Sequence, residues 1–420
     1  MDKLLLKEIA LEQQKIQKSF ELGTQREDLA WLEKYISSPH AVIISGMRRV
    51  GKSTLLAQAI KHYYDSKAFY FNFEDERLLD FRKEDFNHLY EVLIELFGDQ
   101  KVFFFDEIQN VPHWEAFVRR MQDRGYKFFI TGSNASLLSK ELGTRLTGRN
   151  IVLELFPFSF KEYLAFRDVK IEANDLLDTQ KRALIKKHFQ EYLKKGGVPE
   201  YNKYQDPVFL KRIYEDILYR DIVARHDIKE VKALRELGLY LLSNVSTPFS
   251  YNGLKTILRL KSDVTVKQYI SFLEDCYLVF TVPRFFYSVK QQLVAHKKAY
   301  CIDNGFMHVI ASGFTKNRTV FLKNLVFVEL RRKCPQIFYY RTKNDQEIDF
   351  LVQKDPDHAQ LVHVVDGLQQ NKDDVIEALI CAMKELKLKE ALILTEDHDE
   401  EIKRDGTTIT AMPVYRWILS

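Results

Sequence analysis

Eight consecutive residues, Gly46-Met47-Arg48-Arg49-Val50-Gly51-Lys52-Ser53, carry the spacing G-x-x-x-x-G-K-S. The glycines permit a backbone path on which successive N–H groups turn inward, making an anion nest where a helix begins. A lysine at this position would bridge the β- and γ-phosphates of a nucleoside triphosphate, and the Ser53 hydroxyl would complete a Mg²⁺ shell. The nucleotide-binding set is therefore Gly46, Met47, Arg48, Arg49, Val50, Gly51, Lys52, Ser53 and Thr54. At ordinary glycine frequencies a chance match in a chain this long has a probability of about one or two per cent.

A second string, Phe103-Phe104-Phe105-Asp106-Glu107, reads as an apolar strand delivering carboxylates from its C-terminal end. Asp106 would hold Mg²⁺ through water, because Mg²⁺ keeps much of its hydration and takes few protein carboxylates. Glu107 is placed to orient and polarise an attacking water. A glutamate directly after the aspartate favours hydrolysis over transfer, since a kinase needs a separate base that reads its acceptor. Downstream, Asn134, or failing it Ser133, would position the water, and Arg145 or Arg149 would stabilise γ-phosphate charge in the transition state. If that arginine comes from a neighbouring subunit, turnover depends on assembly into a homo-oligomer.

The elements that must position these residues follow from hydrophobic patterning. Ala41 to Ser45, Ala68 to Phe73, Lys101 to Phe105 and Lys127 to Thr131 are short apolar runs, with Ile151 to Leu155 a fifth. Helical patterns at Ser53 to Tyr64, Lys83 to Phe97 and Trp114 to Arg124 separate the first four. Such alternation predicts an α/β fold, a parallel P-loop sheet covered on both faces. From Phe158 to Asn244 the pattern turns helical, broken at Gly196-Gly197-Val198-Pro199. The order helix (Phe249 to Leu260), helix (Ser262 to Cys276), strand (Tyr277 to Pro283) then suits a winged helix-turn-helix. The remainder reads helix (Leu322 to Arg332), strands (Gln336 to Arg341, Glu347 to Gln353 and Gln360 to Val365), helix (Asp373 to Leu386) and strand (Ala391 to Leu394). Four segments result: 1–157, 158–244, 245–305 and 306–420.

With 420 residues, 46% hydrophobic, 29% charged and only 10 prolines, the chain has the composition of an ordinary multidomain globular protein. No stretch approaches the ~18 consecutive apolar residues of a membrane span, and the N-terminus lacks the apolar core of a signal peptide. Cys276, Cys301, Cys334 and Cys381 lie far apart, which predicts reduced thiols and a cytoplasmic location. Charge is unevenly spread. From Val245 to Tyr300 eight Lys and Arg face three Asp and Glu, whereas from Asp345 to Ser420 eight face 17. A basic middle and an acidic end imply separate partners, duplex DNA through 245–300 and a protein at the C-terminal domain.

Taken together, the residues resemble the bacterial and archaeal ATPases whose AAA domain (class 14) is followed by the domain of unknown function 4143. The resemblance rests on Ser45 to Thr54, Phe104-Phe105-Asp106-Glu107-Ile108-Gln109, Thr131-Gly132-Ser133-Asn134-Ala135 and Leu146-Thr147-Gly148-Arg149. Further on it rests on Leu155 to Phe160, Gly196 to Glu200, Tyr219-Arg220-Asp221-Ile222 and Glu347-Ile348-Asp349-Phe350. It implies an ATP-binding, ATP-hydrolysing protein suspected of acting on DNA, with a C-terminal region like PD-(D/E)xK nucleases. That nuclease site needs a helix Glu, a strand Asp and an E-x-K pair. Glu329, Glu347 and Asp349 fall in place, but the next strand, Val362-His363-Val364-Val365-Asp366-Gly367, has no lysine. The expectation is a nuclease-like fold kept as a scaffold or protein-binding surface.

In the basic middle, Ser262, Thr265, Lys267 and Gln268 would face a DNA groove. Arg284, Lys290, Lys297 and Lys298 would reach phosphates from the wing, with Phe285-Phe286-Tyr287 in the core. The favoured function is Mg²⁺-dependent ATP hydrolysis coupled to rearrangement of the C-terminal domains. The alternatives are a slow-turnover switch that binds a protein and a DNA-binding regulator tuned by ATP.

Overall fold

The computed structural model describes residues 1–65, 67–133, 148–172, 174–313, 317–355, 358–369 and 371–420. Two compact units emerge, residues 1–156 with 275–277 and residues 157–274 with 278–420.

The first unit is a five-stranded parallel sheet in the order β2-β3-β4-β1-β5: β1 Ala41–Ser45, β2 Phe69–Asn72, β3 Val102–Asp106, β4 Lys127–Gly132 and β5 Asn150–Glu154. Strands β1 and β4 are buried along their whole length, as their unbroken apolar runs require of strands covered on both faces. Neighbouring β3 and β4 interlock through phenylalanines. Phe103 stacks on Phe128 with ring centroids 4.9 Å apart, and Phe104 on Phe129 at 4.7 Å. Because side chains alternate along a strand, these two stacks lie on opposite faces.

Helices α1 (Lys3–Lys18), α2 (Asp28–Glu33), α3 (Lys52–Tyr63), α4 (Phe86–Phe97) and α5 (Glu115–Gln122) accompany the sheet. Helix α1 is capped by Asp2 and buries Leu6, Ile9 and Ala10. Its Gln13 amide donates to Asn72 O and accepts from Asn72 N, at 2.9 and 2.8 Å, satisfying backbone groups of edge strand β2.

In the second unit the helices between residues 160 and 226 include α6 (Thr179–Lys195) and a π-helical stretch at Ile217–Val223, over the Tyr219-Arg220-Asp221-Ile222 string. There follow α7 (Val231–Ser243), β6 (Pro248–Phe249), α8 (Tyr251–Ile257), α9 (Asp263–Asp275), β7 (Val279–Pro283), α10 (Val289–Val294) and β8 (Lys297–Cys301). The three strands form an antiparallel sheet ordered β6-β8-β7.

The chain ends in α11 (Arg318–Lys333), β9 (Ile337–Arg341), β10 (Glu347–Asp355), β11 (His358–Val364), α12 (Lys372–Leu386), β12 (Glu390–Thr395), β13 (Glu400–Arg404), β14 (Thr407–Pro413) and α13 (Val414–Leu419). Its six-stranded sheet runs β13-β14-β12-β11-β10-β9, with β9, β10 and β11 an antiparallel meander and β11, β12 and β14 parallel. The sequence patterns missed β13, β14 and α13. Strand β13, Glu-Glu-Ile-Lys-Arg, is an exposed sheet edge whose charges hide its period.

Two expectations for the basic middle are corrected. Lys298 is fully buried and ion-paired with Glu347, so it is not a wing cation open to phosphate. Of the three aromatics assigned to the core, Phe285 packs on Phe338 at 5.5 Å, whereas Tyr287 is 83% exposed.

Candidate functional site

The glycine loop leaves the C-terminal end of β1 and enters α3. A Cβ on Gly46 would lie 2.3 Å from the Leu155 carbonyl oxygen, so only glycine fits beneath that backbone. Gly51, the residue before α3, has φ +100°, a left-handed conformation that side chains disfavour. Arg49 is also left-handed, at φ 59°. Met47 and Val50 are buried and anchor the loop from below. Arg48 lies 3.7 Å from Glu74, and Thr54 sits in the first turn of α3.

Lys52 is buried at the loop's centre, where Nζ donates to the Gly46 and Met47 carbonyls, each at 3.2 Å. The same ammonium is 3.6 Å from Glu107 Oε1. Asp106, at the end of β3, is buried and accepts hydrogen bonds from Thr131 Oγ1, from the Ser53 hydroxyl and, at 3.2 Å, from Tyr70 OH. Burial first, then Glu107, raises the Asp106 carboxyl against the pull of those bonds and of Lys52. A divalent cation would reverse that balance, and the donor set of one hydroxyl and one carboxylate matches Mg²⁺. Ser53 and Asp106 thus fit the ion.

Glu107 occupies a left-handed conformation, φ 51°, that a non-glycine residue holds only when its surroundings impose it. Its N–H donates to Thr131 Oγ1 at 3.0 Å, and its Oε2 accepts from Gln109 Nε2 at 2.5 Å. Burial pushes its carboxyl up, but Lys52 foremost, with Gln109 and Arg48, outweighs burial and holds it below the usual carboxylate range. It is therefore ionised at neutral pH and can accept a hydrogen bond from water. Ser133 is buried just past β4, 3.5 Å from Gln109 Nε2.

Asn134 and Arg145 lie outside the described residues. Arg149 precedes β5, whose Asn150 pairs with Ala41 at the start of β1, while the glycine loop follows Ser45 at its end. Five strand residues separate the two edges, roughly 16 Å. Arg149 does not join the Lys52 site of its own chain; its guanidinium pairs with Asp123.

Sequence reasoning missed several contributors. Arg26 is buried beneath the loop, donating to Val50 O at 2.9 Å and Phe156 O at 2.7 Å. Thr131 links Asp106 to the Glu107 backbone, and Tyr277 OH donates to Ser45 Oγ at 3.0 Å, next to Gly46. Arg26 and Tyr277 lie far from the motif in sequence and carry no spacing signal.

The acidic residues expected from sequence at a nuclease-like site each have an internal cation. Glu329 is 3.2 Å from Arg332, Asp366 is 3.4 Å from Arg318, and Glu347 pairs with Lys298 and Arg341. Asp349 is buried between Lys323 Nζ at 2.5 Å and His363 Nδ1 at 3.0 Å. Burial opposes ionisation of Asp349, but Lys323 and then His363 overcome it and hold the carboxyl well below the usual range. A lysine is thus present, delivered by α11 rather than by the strand where the motif placed it. No helix among the described residues is long and apolar enough to cross a membrane.

A glycine loop between β1 and α3, an acidic pair ending β3 and the strand order β2-β3-β4-β1-β5 define a P-loop protein of the AAA type. The family models agree: an AAA domain matches residues 38–164, and two domains of unknown function match 186–317 (DUF8612) and 321–417 (DUF4143). The uncharacterized protein MJ1544 of Methanocaldococcus jannaschii is 34% identical across all of this chain and 96% of its own. An uncharacterized protein of Haemophilus influenzae is 29% identical over 90% of this chain and 94% of its own. The chain belongs to this family of AAA-domain proteins ending in DUF4143. Among solved structures, the Thermotoga maritima RuvB Holliday junction branch migration motor is 17% identical over 61% of this chain and 89% of that one, with a TM-score of 0.31.

Proposed function

We propose that the first unit binds Mg²⁺ and ATP and hydrolyses the γ-phosphate. The observation that carries this reading is the convergence of Lys52, Asp106, Glu107 and Thr131 beside the glycine loop. On binding, the phosphates replace the Gly46 and Met47 carbonyls as partners of Lys52, and loop N–H groups bond their oxygens. Mg²⁺ at Ser53 and Asp106 would supply neutralisation of the β- and γ-oxygens. Glu107 orients a water so that its oxygen attacks the γ-phosphorus. The bond to the β,γ-bridging oxygen breaks, ADP leaves, and the water proton passes by way of Glu107 to solvent. Arg149 is proposed as the arginine supplied to a neighbouring protomer's γ-phosphate, a role its place on the far sheet edge leaves open only in trans. ATP turnover that vanishes in Lys52→Ala and in Glu107→Gln, the latter still binding ATP, is the test; unchanged turnover in either removes that residue from the site.

Residues 245–305 are proposed as a winged helix. The order strand, helix, helix, strand, short helix, strand and the sheet β6-β8-β7 support this, and Lys267 and Gln268 are exposed on α9 to face duplex DNA. Binding that falls steeply with salt and is weakened by Lys267→Ala would support it. The α11-β9-β10-β11-α12-β12 segment is proposed as a nuclease-like scaffold in which Lys323 occupies Asp349 electrostatically. Nucleotide state is proposed to be read out by residues 157–420.

A further inference from the structure

A groove of about 620 Å³ in the second unit is lined by Arg284, Phe286, Gln291, His296, Tyr339 and Arg341, together with residues of β6 and α10. Its floor is fixed where Phe285 N donates to Tyr339 O at 2.8 Å and Tyr339 OH donates to His296 O at 2.9 Å. Arg341 is already matched by Asp345 and Glu347. Among the described residues no carboxylate pairs with Arg284: its guanidinium lies over the Phe286 ring at 4.8 Å, and its buried Nε has no hydrogen-bond partner there.

The rim is apolar. Among the described residues six large apolar side chains are two-thirds or more exposed. Four of these fall together at Tyr287 (83%), Val289 (68%), Leu293 (67%) and Val294 (80%). A cluster of this kind marks an interaction surface. The surrounding stretch, Cys276 to Ile302, contains four Lys and Arg and no Asp or Glu. Of the four exposed rim side chains only Tyr287 offers a base a stacking face, the other three being aliphatic, and Lys298 is buried, so the surface suits a peptide better than phosphates.

We propose that the α10 rim and the Arg284 groove dock an acidic, apolar-anchored segment of a partner protein. An aromatic or aliphatic anchor seats against Tyr287, Leu293 and Val294, and a carboxylate pairs with Arg284 over Phe286. The half-buried guanidinium, its Nε without a partner among the described residues, gives sequence preference, and the apolar rim gives most of the affinity.

The test is selection of phage-displayed random dodecapeptides on the full chain, followed by fluorescence anisotropy with the synthesised winners. A labelled thymidine dodecamer serves as the second probe. The expected winners combine carboxylates with Phe, Trp or Leu, and their affinity falls at least tenfold in Arg284→Glu and in Leu293→Asp. Replacing the winners' acids by lysine should restore binding to Arg284→Glu. Leu293 is exposed, so its variant keeps the test alive if Arg284→Glu fails to fold. Failure to enrich any peptide, winners without acidic residues, or equal binding by both variants would overturn the proposal. So would tighter, Arg284-dependent binding of the oligonucleotide, or winners displaced by self-association of the chain.

Discussion

Replacing Lys323 by Met should unfold the second unit far more readily than a surface substitution does. Lys323 Nζ is 2.5 Å from Asp349, and Asp349 is 1% exposed. Losing the ammonium leaves a buried carboxylate held by His363 and by the Val364 N–H, which donates to it at 2.9 Å. Breaking a buried pair from one side costs about 3–5 kcal/mol, because the stranded charge keeps its desolvation penalty. In a unit of this size that lowers the unfolding midpoint by on the order of 10 °C. Asp349 is held low in the folded state. Its stabilising contribution is therefore present above the unfolded carboxylate value of ~3.9 and lost only as pH falls through the lowered folded value. At pH 7.5 the full cost should appear in calorimetry of the full chain. The double variant Lys323→Met/Asp349→Asn should recover most of it, since neither charge remains. A single variant that costs under about 1 kcal/mol, or a double no better than the single, would refute the assignment.

Three further outcomes follow from the same geometry. Thr131→Val removes the hydroxyl that bonds both Asp106 and the Glu107 N–H; turnover should fall about 10- to 100-fold with ATP affinity changed less than about threefold, as steady-state rates and equilibrium binding will read. Asp303, buried and accepting from the Gly197 and Gly305 N–H groups, has its carboxyl raised by burial to about 7. The folded state therefore holds a proton that the unfolded state releases, and stability should decline as pH rises from ~4 to 7, by at most about 4 kcal/mol. Urea titrations should find the gap between wild type and Asp303→Asn narrowing across that range; a constant gap contradicts it. If Arg149 acts across protomers, mixing Arg149→Ala with Glu107→Gln should partly restore ATP turnover, and no restoration at any ratio would rule that geometry out.

The loop and the acidic pair were legible because their chemistry is local: Gly46 to Ser53 fix a turn by themselves, and Asp106-Glu107 end an unbroken apolar run. The five parallel strands were legible for the same reason, burial on both faces leaving short apolar blocks with helices between. Contributions made across long separations were not. Arg26 supports Val50 and Phe156, Tyr277 reaches Ser45, and Lys323 arrives from a helix to meet Asp349. Lys298 looked like a wing cation because a charged residue on a strand reads as exposed; its pairing with Glu347, 49 residues on, has no sequence signature. Strand β13 was hidden because an edge strand protects itself with the charges that erase its alternation.

The central claim is that the Lys52 and Glu107 site turns over ATP. It is tested most directly by the steady-state hydrolysis rate of the purified chain with Mg²⁺, with Glu107→Gln as the blank. The account predicts turnover in the wild type, a loss of at least about 100-fold in Glu107→Gln, and retained ATP binding in that variant. A wild-type rate no higher than the blank, or an undiminished rate in Glu107→Gln, would contradict it.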